Sequence, residues 1–363
     1  CCPFHKEKTP SFKVSSSHQA FYCFGCQQKG NVFHFVMHQQ NVDFVDAVRL
    51  LARRAGIFIQ EETIDLGSGG SSSQSERKIS KQTLLDLMSG IAKWYRTQLD
   101  AQTGEVARAY LAERGIDQET VDRFGLGYSP DAWQAALDWG ARHSYSRELM
   151  LKTGMAKRKE KEQGEDRVYD RFRGRLMFPI WDELGNIVGF SARVLQSDTE
   201  AAKYINSPDT PLFNKKRILY GLHLARQSFT DFGGALVCEG QLDVIACHRA
   251  GLTNAVAPQG TSFTEEQAAL LKRYTTTVTF AFDADAAGQK AAVRSIEIAL
   301  AADLEARVVL LPDGEDPDGL FRQGGAEALK AVLETTSDAF EFLLAYAKRQ
   351  HDTSTPRGIE DVV

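Results

Sequence analysis

Excess positive charge is missing from this chain: 43 Lys and Arg face 48 Asp and Glu, for a formal net charge of −5 over 363 residues. A uniformly basic nucleic-acid binder is excluded, although a local basic patch is not. No run approaches the ~20 apolar residues that a membrane-spanning helix needs, so no membrane protein is expected. No positive stretch followed by an apolar one opens the chain, so no signal peptide is visible and a cytoplasmic location is expected. Cysteine is scarce, and six residues are too few to build a chain of this size on disulfides. A starting Met is absent too. The chain opens on Cys1, inside what reads as a motif, which suggests a fragment. What is present is 43% apolar content. That is enough for a buried core and excludes wholesale disorder. The length predicts about two or three domains.

The cysteines fall into two populations. Cys238 and Cys247 lie in apolar company and read as ordinary buried thiols. Near the start, Cys2-Pro-Phe-His5 and Cys23-Phe-Gly-Cys26 are two pairs, each with two residues between potential ligands. Each pair can put two donors on one metal from a tight turn, and the residues between them suffice for a β-hairpin. Three thiolates and one imidazole make a closed tetrahedral set, which favours structural Zn²⁺ and leaves no open position for substrate. Cys1 rivals Cys2, but only Cys2 has the two-residue gap to His5. His18 and His34 stay outside the set. Phe12, Phe21, Tyr22, Phe24 and Phe33 sit beside Lys6, Lys8, Lys13 and Lys29. Interleaving of this kind suits stacked single-stranded bases with paired phosphates. It equally suits a tiny core built from the same rings.

Residues 32–56 read as two amphipathic helices, with Val42, Val45, Val48, Leu50 and Leu51 at apolar positions. Residues 65–75, DLGSGGSSSQS, read as a flexible tether. From 78 to 140 the pattern is helical, with one helix stopping at Gly115. Residues 152–175 hold nine basic and five acidic side chains. Lys203, Lys215, Lys216 and Arg217 form a second basic cluster around Ser207-Pro208. Either cluster can be a plain solvated face, but two in an acidic chain favour a polyanion track. Residues 176–180 and 187–191 read as strands around a turn.

After Gly233-Gly234 strands alternate with helices: strands at 235–238, 255–257, 277–282 and 306–311, helices between them. This pattern predicts a mainly parallel sheet. Three acidic sets fall just past strand ends: Glu239 with Asp243, Asp283 with Asp285, and Asp316 with Asp318. In open α/β sheets, sites form at that edge. Six converging carboxylates repel one another unless cations neutralise them. Mg²⁺ or Mn²⁺, hard ions with oxygen ligands, are the natural partners. Such a centre can hold nucleotide phosphates, activate a 3′-hydroxyl and stabilise leaving pyrophosphate. The plainer alternative is that the carboxylates merely cap the following helices.

These residues resemble a known family. Cys2-Pro-Phe-His5-Lys-Glu-Lys-Thr-Pro-Ser-Phe12 with Phe21-Tyr-Cys23-Phe-Gly-Cys26 is similar to the zinc-binding domain of bacterial DnaG-type DNA primases. Val237-Cys-Glu239-Gly-Gln-Leu-Asp243, Phe282-Asp283-Ala-Asp285 and Asp316-Pro-Asp318 resemble the TOPRIM fold that primases share with topoisomerases. Asp170-Arg-Phe-Arg-Gly-Arg-Leu-Met-Phe-Pro179 and Lys203-Tyr-Ile-Asn206-Ser-Pro208 resemble the segment that precedes TOPRIM in the same primases. The motifs run in order over nearly the whole chain.

The resemblance implies an enzyme that copies single-stranded DNA into short RNA primers from ribonucleoside triphosphates. The implied fold is α+β and multidomain: a zinc ribbon at 1–60, incomplete at its start, and a linker at 61–80. A mixed α/β N-terminal subdomain follows at 81–232, then a Rossmann-like TOPRIM subdomain with a parallel sheet at 233–325 and the start of a helical subdomain at 326–363. By the same resemblance, Cys2, His5, Cys23 and Cys26 hold zinc in a module that helps select the template start. Glu239 is the catalytic acid residue, as metal ligand or general base. Asp283 and Asp285, with Asp243, Asp316 and Asp318, hold the divalent metals. Lys203, Tyr204, Asn206 and Lys215 face nucleotide or template, and Arg123 and Arg193 extend the basic DNA track. Expected partners are the DNA template, the ribonucleotides, the RNA primer and, through a C-terminal domain not in this chain, a replicative helicase. The rival readings are a TOPRIM topoisomerase or nuclease and a zinc-ribbon DNA-binding protein without catalysis.

Overall fold

The computed structural model describes residues 1–5, 7, 9–40, 44–57, 80–159, 167–195, 201–260, 262–283 and 285–350. Lys6, Lys8 and Val42, the expected tether at 65–75, the acidic middle of the charge-dense segment at 160–166 and residues 351–363 lie outside the described residues. The chain divides into two units, Cys1–Ser80 and Lys81–Val363.

In the first unit, β1 (Phe12–Ser15), β2 (Ala20–Cys23) and β3 (Lys29–Asn31) form an antiparallel sheet in that order, followed by α1 (Val32–Gln40) and α2 (Phe44–Arg54). Strand alternation sorts β2: Phe21 and Cys23 are buried and Tyr22 between them is exposed. The rings of Phe4, Phe12, Phe21 and Phe35 pack mutually at centroid distances from 5.3 to 6.0 Å. Tyr22 and Phe24 stay outside, with Lys13 Nζ 5.4 Å from the centre of the Phe24 ring. Part of the aromatic set therefore forms a small core, and part stays at the surface.

The second unit opens with α3 (Lys81–Asp100), α4 (Glu105–Glu113) and α5 (Gln118–Phe124). Leu84, Leu87, Met88, Ile91, Ala92, Tyr95 and Leu99 make the buried stripe of α3 at helical spacing. Where the sequence pattern reads as continuously helical to 140, a short strand, β4 (Gly127–Ser129), intervenes before α6 (Ala135–Arg142). Its three residues are all buried, so they show no alternation to set them apart. A Cβ on Gly127 would lie 2.7 Å from the Tyr95 Cβ, so glycine lets β4 approach α3. Next come α7 (Arg147–Lys152), the hairpin β5 (Ala156–Lys159) and β6 (Arg167–Asp170), then β7 (Arg175–Trp181), β8 (Ile187–Val194) and β9 (Tyr204–Asn206). The sheet order is β4-β7-β8-β9, all antiparallel.

After the one-turn α8 (Leu222–Ala225), the chain alternates as its pattern predicts: β10 (Ala235–Val237), α9 (Gln241–Arg249), β11 (Ala255–Val256), α10 (Glu265–Lys272), β12 (Thr277–Asp283), α11 (Ala286–Ala301), β13 (Glu305–Leu311) and α12 (Pro317–Leu333). The short β14 (Ser337–Asp338) and α13 (Ala339–Gln350) complete it. The sheet order is β11-β10-β12-β13-β14. The first four strands are parallel, and β14 adds an antiparallel edge. A core cluster containing Leu111, Phe124, Phe178, Leu236, Val244 and Ile245 runs from the antiparallel sheet into the parallel one.

Candidate active site and metal centres

Parallel strands present all their C-terminal ends at one edge, and here those of β10, β12 and β13 are followed by acid. The register sets Val237 of β10 beside Phe280 of β12 and Asp283 beside Leu311 of β13. Glu239, Asp283, Asp285 and Asp316 consequently share one rim. The Asp283 backbone lies close enough to the Glu239 carboxylate to favour its charged form. Desolvation and then the charges of Asp283, Asp285 and Asp316 push the Glu239 carboxyl up. Desolvation, Asp285 and Asp316 do the same to Asp283. Three motifs separated in sequence thus meet within electrostatic reach of one another.

The helix-capping alternative holds alongside convergence. Asp285 Oδ1 accepts from Gly288 N at 2.7 Å and Asp316 Oδ1 from Gly319 N at 2.6 Å. Each spends one oxygen on its helix, and among the described residues the other has no donor. Asp243 and Asp318 differ from these four by being buried. Asp243 Oδ2 accepts from Gly240 N at 2.9 Å. Burial, then the charges of Asp316 and Asp318, raise its pKa to about 7, against the nearby Asp318 backbone and the hydrogen bond from Gly240 N. Asp318 Oδ2 accepts from Arg114 Nη1 and, at 3.2 Å, from Arg322 Nε. Burial pushes its carboxyl up and the two guanidinium groups oppose that.

A cavity of about 340 Å³ opens beside the rim, with Glu239, Asp243 and Asp316 on one wall. The facing wall is basic and polar: Arg114, Ser191, Arg193, Lys203, Tyr204 and Asn206. Strand pairing explains the second wall. Ser191 and Arg193 are two apart on β8 and lie directly opposite Asn206 and Tyr204 of β9. All four side chains therefore share one face. Arg193 Nη1 donates to the Tyr204 hydroxyl at 2.8 Å, and Arg193 and Arg114 both lie over Tyr110, 5.0 and 4.9 Å from its ring centre. The buried Ser191 Oγ, Arg193 Nε and Asn206 Oδ1 have no partner among the described residues. Polar atoms so placed are set for a bound molecule or ordered water.

Of the expected nucleotide or DNA contacts, the structure gathers Lys203, Tyr204, Asn206 and Arg193. Lys215 is not part of this wall; its backbone N–H donates to Asp209 Oδ1 at 3.2 Å. Arg123 lines a different cavity, of about 290 Å³, with His248 and Arg249. Arg114 and Ser191 were not marked by sequence. Arg114 is the capping residue after α4, and nothing local distinguishes it from any other helix-ending arginine. Outside the cavity, Lys157, Arg158, Lys159 and Arg167 are exposed on the β5–β6 hairpin. Arg173 lies 4.1 Å from the centre of the Trp133 ring, which is exposed. Arg175 serves the fold, donating to Ala192 O and Ala202 O.

In the first unit, Cys2, His5, Cys23 and Cys26 bring their ligand atoms within 4.8 Å of one another. Among the described residues this is the one such gathering of three or more His, Cys, Asp or Glu; the acidic rim is looser. Cys2 Sγ and Cys26 Sγ are 3.8 Å apart, and Cys23 Sγ is 3.8 Å from His5 Nδ1. Tetrahedral zinc with Zn–S of about 2.3 Å needs ligand edges of roughly 3.6–3.8 Å, so the set fits the ion. No cysteine is in a disulfide, and Cys1 is exposed outside the set. Cys23 is pushed up by burial, but the Ser11 hydroxyl 3.1 Å from its sulfur and the nearby backbone of Cys26 and Gly25 bring it down to about 6, which favours the thiolate that zinc requires. A Cβ on Gly25 would sit 2.6 Å from His5 Nε2, so only glycine fits that turn. Cys238 and Cys247 are buried free thiols.

Three family models match in order: CHC2 zinc finger over residues 1–65, DNA primase catalytic core N-terminal domain over 94–226, and Toprim-like over 236–321. The DNA primase of Escherichia coli K12 is 41% identical over 361 residues, 99% of this chain and 60% of that protein. A DnaG primase catalytic domain bound to single-stranded DNA is 40% identical, with a TM-score of 0.70 over 77% of this chain and 86% of that one. The zinc-binding and RNA polymerase domains of Aquifex aeolicus primase are 33% identical, with a TM-score of 0.66 over 96% and 81%. The chain spans about 60% of the length of the E. coli relative.

Proposed function

The chain belongs to the bacterial DnaG-type DNA primase family, and from that premise we propose that it carries a zinc-ribbon module and a metal-dependent polymerase that makes short RNA primers on single-stranded DNA at the replication fork, in the cytoplasm. The observation that carries the reading is the convergence of Glu239, Asp283, Asp285 and Asp316 on one sheet edge, beside a cavity that Glu239 and Asp316 share with basic side chains.

Glu239, Asp283, Asp285 and Asp316, the outward-facing carboxylates, would hold Mg²⁺ or Mn²⁺. The bound ions would lower the barrier by neutralising the phosphates and favouring the 3′-alkoxide. Arg193 and Lys203 bind the triphosphate of the incoming ribonucleotide. Arg114, held by Asp318, adds a fixed positive charge to the same wall. Tyr204 offers a ring face, and Asn206 Oδ1 and Ser191 Oγ offer unpaired polar atoms to the sugar or base. Asp243 braces the turn beside Glu239 through the hydrogen bond it accepts from Gly240 N. Lys215 and Arg123 act, if on DNA, away from this cavity. The template runs over exposed basic and aromatic side chains, Arg173 and Trp133 in the larger unit and Tyr22, Phe24 and Lys13 in the zinc unit, where bases stack and phosphates pair. Ribonucleotides and RNA primer follow from the reaction; a replicative helicase as partner follows from family membership alone.

The test is incubation with single-stranded template, labelled ribonucleotides and Mg²⁺ or Mn²⁺. Glu239→Gln and Asp283→Ala are expected to lower primer synthesis by at least ~100-fold, the equivalent of several kcal/mol of charge stabilisation. Gel-shift binding of the template should survive in both. Full synthesis by both variants refutes the assignment. Relaxed or cut DNA in place of RNA oligomers identifies a topoisomerase or nuclease, and shifted but unchanged DNA a binding protein.

A further inference from the structure

Glu7 lies beneath the zinc cluster, where ligand spacing did not mark it. Its side chain is 8% exposed. Oε1 accepts from Cys2 N at 2.5 Å and Ser11 N at 3.1 Å. Oε2 accepts from the Ser11 hydroxyl and lies 3.4 Å from His5 Nε2. A carboxylate so little exposed needs its acceptor sites filled, and it has about four. Three are met by donors that always carry hydrogen. The fourth faces His5 Nε2 at 3.4 Å, a charge contact that suits a proton on that nitrogen and leaves the Nδ1 lone pair facing Cys23 Sγ at 3.8 Å. Ser11, with its proton given to Glu7, accepts from Gly25 N at 3.2 Å and sits 3.1 Å from Cys23 Sγ. One carboxylate and one hydroxyl therefore touch both ligand turns, Cys2 with His5 and Cys23 with Gly25.

We propose that Glu7 is a positioning residue of the zinc site: it fixes His5 to ligate through Nδ1 and, by way of Ser11, holds the two ligand turns at metal spacing. This rests on the four-ligand set being a zinc site and is independent of the polymerase reading. Carboxylates hydrogen-bonded to a ligating imidazole orient the ring and raise its basicity, and their loss typically costs 10–100-fold in metal affinity.

The experiment uses the full zinc-loaded chain. Metal analysis first establishes about one zinc per chain. Zinc transfer to a chromophoric chelator is then timed, with Co²⁺-substituted samples checked for the tetrahedral thiolate spectrum. Glu7→Gln keeps the shape of the side chain but cannot fill all four acceptor roles. It is expected to release zinc about 10–100-fold faster while keeping the tetrahedral Co²⁺ spectrum. Ser11→Ala is expected to release zinc faster as well. Long-range ¹H–¹⁵N NMR of the unmutated protein, which does not depend on any variant folding, should show His5 metallated at Nδ1 and protonated at Nε2. Release at the parent rate in both variants, or ligation through Nε2, overturns the proposal and leaves the zinc site standing. A protein that holds no zinc overturns both.

Discussion

Asp170 is 1% exposed, and its two oxygens accept from Ala136 N at 2.7 Å and Leu137 N at 3.0 Å, tying β6 to the start of α6. Burial nevertheless outweighs those bonds and raises its pKa to about 6. An unfolded Asp titrates near ~3.9, so between about pH 4 and pH 6 the native state binds more protons than the unfolded one. Stability then falls as pH rises through that window and is level above it. Thermal unfolding across the window should show the parent losing about 2–3 kcal/mol relative to Asp170→Asn; a constant difference refutes the burial argument. Legibility at this scale depends on spacing. The zinc ligands and the strand-end acids could be read because local geometry demands their intervals. Glu7, Arg114 and Ser191 could not, because each owes its place to partners brought in by the fold.

Elements divide along the same line. Strands β10 and β12, and β13 from Val308 onward, are apolar runs followed by acid, the mark of parallel strands buried on both faces. β4, β5, β6 and β9 are three or four residues long. β4 lies among helices, and β5 and β6 carry charge where a strand signal would be apolar, so none of the four stands out by periodicity. Their consequence is large, since β9 supplies Tyr204 and Asn206 to the cavity. Gly127 in β4 offers a direct test of how that subdomain is assembled. Gly127→Val pushes side-chain atoms into Tyr95, and overpacking of this kind costs about 1–3 kcal/mol. A lower thermal midpoint with retained helical circular dichroism is the expected result; an unchanged midpoint shows that α3 and β4 do not need their close approach.

For the molecule as a whole, the net charge of −5 conceals a sorted surface. Acid gathers at one sheet edge and base on the β5–β6 hairpin, where partial desolvation and the nearby Arg171, Arg173 and Arg175 lower the pKa of Lys157. Template affinity should therefore fall with salt in proportion to the phosphates contacted, at about 0.7 in the logarithmic slope per contact on a single strand. The Lys157→Glu, Lys159→Glu double variant should bind more weakly with a shallower slope; an unchanged slope removes the hairpin from the template path. Polymerase chemistry in this chain depends on the acidic rim. Titrating Mn²⁺ into zinc-loaded protein while following its free electron paramagnetic resonance signal measures that directly. Sequestration by the parent chain, weakened at least ~10-fold in Glu239→Gln and Asp283→Ala, is the predicted result. Identical binding curves for all three proteins would contradict the claim that these carboxylates hold the catalytic ions.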